Sequence, residues 1–97
     1  MKFTHEYRIL KKKVFTSIRK NTGFYKIGRI YQINTPEQNF KAKVIEAEAI
    51  SKFEIDDSLA QSDADMSAVE LIVLLDKWHG KRFDDFVLLT LERLDEQ

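Results

Sequence analysis

The residues able to do chemistry fall in two short stretches. In the first, Lys11-Lys12-Lys13 leads into Ser17, Arg19 and Lys20, and a turn then presents Phe24 and Tyr25 flanked by Lys20 and Lys26. A planar guanidinium and compact ammonium groups suit phosphate oxygens and base edges. Aromatic rings set among cations suit the stacking of unpaired bases. The second stretch holds Asp63 and Asp65. A lysine amine beside a hydroxyl, with a carboxylate to move the proton, is the minimum equipment for hydrolysing an acyl group. Lys13, Ser17 and Asp63 or Asp65 supply those group types.

Each feature also has a purely structural explanation. Lys11 to Lys13 fit a solvated surface, and Ser17 a structural hydroxyl. Arg19, on an apolar strand, either pairs with a carboxylate or lines a cleft. Phe24 and Tyr25 either form an exposed stacking platform or fold back to plug the core. Asp63 and Asp65 stand just ahead of a strong helix signal, where the helix dipole favours a carboxylate and a cap is needed. His79, followed by Gly80 and Lys81, fits a C-terminal cap partner, and His5 is too distant in sequence to make a metal motif with it. There is no phosphate-cradling glycine loop, serine elbow or zinc spacing. The absence of cysteine excludes disulfides, thiolate metal sites and a cysteine nucleophile. Neither a metal nor a cofactor is expected.

Zero net charge conceals a polarised chain. Residues 1–31 carry nine Lys/Arg against one acid, Glu6, a net +8; residues 32–97 carry seven against fifteen, a net −8. An anion-binding face with an acidic back has this pattern, as do two halves that neutralise each other as neighbouring strands. With 43% hydrophobic and 33% charged residues the composition is that of a globular protein. One domain over residues 1–97 is expected, with no membrane span, no signal-peptide core and a cytoplasmic location.

The elements that must position these residues are mostly plain. Phe3, Tyr7, Ile9 and Leu10 suggest a short strand leading into an irregular or one-turn helical piece. Val14 to Arg19 is β-branched and aromatic and predicts a strand. Gly28 closes a turn, Ile30 to Ile33 form the next strand, and Asn34-Thr35-Pro36-Glu37 ends it. Phe40 to Phe53 predicts a long strand whose apolar phase slips at Ile45, as a β-bulge would cause. Ser67 and Glu70 have capping-box spacing, and Leu71, Leu74, Leu75 and Trp78 follow at helical intervals. A helix is therefore predicted from Ala68 to about His79, with Gly80 at its cap. Phe86 to Leu94 is a strand apolar on both faces, hence central or barrel-closing. This is an α+β order of mostly antiparallel strands with one main helix.

That order, with its residues, resembles the ASCH domain of the PUA-like superfamily. Ile9 to Arg19 (ILKKKVFTSIR) is similar to the family's I-L-x-G-x-K-T-x-T-I-R segment. Tyr25 to Tyr31 is similar to its glycine turn, Phe40 to Ala47 to its long strand, Asp63 to Leu71 to its helix entry, and Phe86 to Leu91 to its closing strand. The resemblance implies a small curled β-barrel with a cleft beside the helix that binds RNA or nucleosides. One branch of the family deacetylates N4-acetylcytidine with a lysine, a threonine and an acid. Aligned without gaps, the family's arginine falls on Arg19 and its threonine on Ser17. Its lysine falls on Val14, one place after Lys13, and its acid near Ala64, between Asp63 and Asp65. The expectation is an RNA-binding module using Lys13, Arg19, Lys20, Phe24, Tyr25 and Lys26. The alternative is a small amidohydrolase acting on a modified nucleoside through Lys13, Ser17 and Asp63 or Asp65.

Overall fold

Four strands build one antiparallel sheet: β1 (Val14–Lys20), β2 (Ile30–Asn34), β3 (Asn39–Ile50) and β4 (Phe86–Leu94), in the order β1-β4-β3-β2. Two helices, α1 (Asp57–Ala64) and α2 (Ala68–His79), lie between β3 and β4 in the chain. The computed structural model describes residues 1–3 and 7–94.

The position of β4 follows from its sequence. Val87, Leu89 and Leu91 are buried on one face, in a core with Leu10, Phe15, Ile33, Phe40, Ala42 and Val44. Phe86 and Leu88 turn to the other face, where Ile18, Ile50, Ile55, Leu71 and Leu75 form a second core beneath the helices. A strand that must satisfy two cores has to be interior. Leu89 and Leu91 are fully enclosed.

The phase slip in β3 is a bulge. Val44 pairs with Leu91 and Glu46 with Thr90, so Ile45 is the extra residue. The bulge keeps Ala47 and Ala49 in the same row as Phe40, Ala42 and Val44, opposite Leu89 and Val87. It also turns Ile50 into the helix-side core. β3 ends at Ile50, earlier than expected, because Ser51 caps a short 3-10 turn, Lys52–Glu54.

The sheet does not close on itself: β1 and β2 are its two ends. Residues 1–3 stand between those ends. Lys2 makes a parallel bridge to Asn34 of β2, with Phe3 N–H donating to the Asn34 carbonyl at 2.8 Å. Across the gap, the Arg19 guanidinium of β1 donates to the Lys2 carbonyl at 3.0 Å. Of the strand expected at the start of the chain, the described residues contain this single bridge, and residues 4–6 lie outside them. The one-turn piece after it is a 3-10 turn, Arg8–Lys11, that buries Leu10.

α2 spans Ala68–His79, with Ser67 and Glu70 forming both bonds of the capping box. α1 was not expected from the sequence. Asp56 caps it by accepting from Leu59 N–H at 2.8 Å, and Asp65 ends it in the left-handed conformation at φ 57°. Asp63 and Asp65 therefore do not cap α2. They belong to the last turn and the C-cap of α1, and Asp57 instead accepts from Ala68 N–H at 2.8 Å. Trp78, expected in the core stripe, is half exposed. A latch around the buried Lys52 ties the helices to the strands. Lys52 donates to Asp76 Oδ1 at 2.8 Å and to the Lys81 carbonyl, while Asp84 accepts from Lys52 N–H at 2.6 Å and from the Ser51 hydroxyl at 2.7 Å.

Candidate functional site

A cleft of about 630 Å³ lies beside β1, the edge strand. Lys2, Phe3, Tyr7 and the Thr22–Tyr25 turn form one side. Asp63 and Ala64 of α1, with Leu71, Leu75, Trp78 and His79 of α2, form the other. Ser17 to Lys20 run between them.

Strand alternation sorts the β1 side chains. Thr16 and Ile18 turn towards the helices, and the Thr16 hydroxyl donates to Asp63 Oδ1 at 2.7 Å. Ser17 and Arg19 turn the other way. Arg19 Nε donates to Ser17 Oγ at 2.9 Å, and the guanidinium carbon stands 4.5 Å from the Phe3 ring centroid. With its further bond to the Lys2 carbonyl, Arg19 is held by three groups from two segments. It therefore lines the cleft and has no direct carboxylate pair among the described residues.

The electrostatics follow from burial. Asp63 is 8% exposed. Desolvation raises its pKa above the ordinary value, and the Thr16 bond and the Arg19 charge pull it back in part. Tyr7 is raised by burial and by the nearby Asp63 carboxylate. Burial lowers the pKa of Arg19, offset by Tyr25, Asp63 and Tyr7, and a guanidinium so placed keeps its charge. His79 packs on Phe83 and Phe86, with ring centroids 5.8 and 5.5 Å apart. Its pKa is lowered by burial, then by Lys20 and Arg19.

The aromatic turn divides its labour. Tyr25 packs between Phe24 and Tyr31, at 5.1 and 5.3 Å between centroids, and against the core. Phe24 is 62% exposed. The Tyr31 hydroxyl fixes the turn, donating to the Phe24 carbonyl at 3.0 Å and accepting from Lys26 N–H at 2.9 Å.

Of the residues singled out by sequence, Ser17, Arg19, Lys20, Phe24, Tyr25 and Asp63 meet at the cleft. Three do not. Lys13 is exposed just before β1, with its carbonyl accepting from Arg93 N–H at 2.6 Å, and Val14 is also exposed, so neither lines the cleft. Four residues of strand, roughly 13 Å, separate Lys13 from Ser17. Lys26 is exposed beyond the turn. Asp65 leaves the cleft because it pairs with Arg8, 3.2 Å from the Arg8 Nε, beside a smaller hollow of about 320 Å³ that Lys12 also lines. His5 lies outside the described residues.

Sequence reasoning missed Tyr7, Trp78 and His79 as cleft residues. The signal available for Trp78 was its place at the end of the α2 stripe, beyond the last residue the core can cover. Among the described residues no group of three His, Cys, Asp or Glu side chains is placed to hold a metal ion, and no helix is long and apolar enough to cross a membrane. No known family model, curated protein or solved structure matches the chain.

Proposed function

We propose that this chain is a nucleic-acid-binding module, for RNA above all, that takes an unpaired base into the cleft beside β1 while cations at its rim hold the adjoining phosphates. The observation that carries this reading is the interleaving of Lys2, Arg19 and Lys20 with Phe3, Tyr25 and Trp78 around one cavity. Its volume of about 630 Å³ suits a nucleotide-sized group, and ligand clefts of this size are commonly apolar with few polar groups. The order of the elements, the bulged long strand and a cleft between edge strand and main helix support an ASCH-like, PUA-like relationship. Residues 1–3, standing between the two sheet ends, would complete the curl of such a barrel.

Binding of short single-stranded and hairpin RNAs, followed by fluorescence anisotropy, tests this. Contacts to two or three phosphates give a log–log salt slope of about −1.4 to −2. Absence of binding at low salt overturns the proposal.

The amidohydrolase alternative is supported by Asp63 and Ser17 lining the same cleft. It is weakened by the position of Lys13 and by the Ser17 hydroxyl, which is engaged as the acceptor for Arg19. Incubation with N4-acetylcytidine, watching for acetate, decides it.

A further inference from the structure

We infer that the cleft is selective for guanine, with Asp63 accepting from the N1–H and N2–H₂ donors of the base and Arg19 donating to its O6. This rests on the nucleic-acid reading above and adds to it the identity of the base.

The carboxyl group at position 63 is the first argument. Asp63 is buried, and it sits in the last turn of α1, the helix end at which the backbone dipole opposes a carboxylate. Accepting the Thr16 hydroxyl bond requires only a neutral oxygen, which Asn would provide. A carboxyl group here is met in part by the Arg19 charge, and it has acceptor capacity beyond the Thr16 bond that a ligand bringing donors would use.

The free valences are the second. Asp63 Oδ1 takes the Thr16 bond, and Oδ2 has no partner among the described residues. Arg19 uses Nε on Ser17 and one terminal nitrogen on the Lys2 carbonyl, leaving the other terminal nitrogen without a partner among the described residues. Asp63 and Arg19 line the same cleft and attract one another. The protein thus offers an acceptor-only group and a donor-only group to one occupant.

Base chemistry then selects. The Watson–Crick edge of guanine carries two adjacent donors followed by a carbonyl, the complement of a carboxylate followed by a guanidinium. Adenine and cytosine bring one amine beside a ring nitrogen acceptor, which would face the second carboxylate oxygen. Uracil flanks its single N–H with two carbonyls. Each of these leaves a repulsive contact in a desolvated site. Tyr25 and Trp78 add aromatic surface that any base can use, so discrimination falls to Asp63 and Arg19.

Trp78 is the only tryptophan and lines the cleft, so its fluorescence reports occupancy. The titration uses GMP, AMP, CMP and UMP, and in a second arm uridine octamers carrying one central G, A or C. Guanine should bind about 5- to 100-fold more tightly than the other bases, the range expected of a bidentate base contact. Guanine preference in either arm supports the assignment, and the stronger arm says whether a free nucleotide or a base within a strand is preferred. Asp63→Asn, which keeps an oxygen for Thr16, should compress the ratio to about threefold or less. Arg19→Lys, which keeps the charge and loses the fork, should narrow it too. Equal binding of all bases by the unmodified protein overturns the guanine assignment and leaves the module reading intact. So does a preference untouched by both variants. No binding of any probe overturns both.

Discussion

The Thr16 hydroxyl donates to the Asp63 carboxylate at 2.7 Å, joining the edge strand β1 to the last turn of α1. This is the only hydrogen bond from a described residue to a carboxylate that is nearly cut off from water. Replacing Thr16 by Val keeps the shape and removes the donor. The cost should be about 1–3 kcal/mol in urea denaturation, with a further rise in the Asp63 pKa. A cost below about 0.5 kcal/mol would mean that the bond is not made in solution.

Asp63 and Asp84 should shape stability in opposite directions with pH. Asp84 is held below its ordinary value of 3.8 by the Lys52 backbone N–H and then by the Ser51 hydroxyl. Its contribution is present above the unfolded value and is lost as pH falls through the lower folded one. Burial raises Asp63, so its contribution is present below the unfolded value and is lost as pH rises through the folded one. Asp84→Asn should therefore flatten the acid limb of a stability–pH curve. Asp63→Asn should leave the protein at least as stable at pH 7, and a fall in melting temperature there would contradict this assignment.

Lys52 is 7% exposed at its side chain, and its partner Asp76 is 24% exposed. Lys52→Ala removes the charge, the bond to the Lys81 carbonyl and the packing of the stem. A loss of about 3–5 kcal/mol is expected by chemical denaturation. Lys52→Met, which restores the stem and leaves the better hydrated partner unpaired, should recover part of it.

His79 shares the cleft with Lys20 and Arg19, and burial, then the charges of these two residues, keep its pKa below the ordinary 6.5. A phosphate bound against Lys20 and Arg19 would offset that repulsion. NMR titration of the imidazole should show its pKa rising in the presence of RNA, and binding below about pH 6.5 should take up protons. An unchanged His79 titration on saturation would place the phosphates elsewhere.

What was legible in the sequence depended on how far the signals lie apart along the chain. β1, β4 and α2 were written locally: VFTSIRK by branched side chains, FVLLTLERL by apolar residues on both faces, AVELIVLLDKWH by its cap and stripe. The bulge at Ile45 was readable because a slip of one residue moves every later side chain across the sheet. α1 was not readable. Its sequence DSLAQSDA carries four Ser and Asp residues and three apolar ones, and its helical state rests on the Asp56 cap and on burial of Ala60 and Ala64. Within the site, Ser17, Arg19, Lys20, Phe24 and Tyr25 were legible because they lie within nine consecutive residues. Tyr7, Trp78 and His79 arrive from segments that only the fold brings near. Asp63 and Asp65 looked equivalent, but two steps of a helix rotate a side chain by about 200°, and Asp65 is turned further by its left-handed backbone.

The order β1-β4-β3-β2 places the last strand of the sequence at the middle of the sheet. During synthesis on a ribosome, β1 has no partner among the described strands until β4 has left the exit tunnel, because residues 14–20 pair with residues 86–92. β2 and β3 can form a hairpin early, whereas both cores wait for Phe86, Leu89 and Leu91. Both cores are therefore expected to form in one late step, once β4 is available, rather than progressively along the chain, and at the slower end of the range for a domain of this size. Nascent chains stalled before Phe86 should remain protease-sensitive and incomplete at the cleft, however well their helices form.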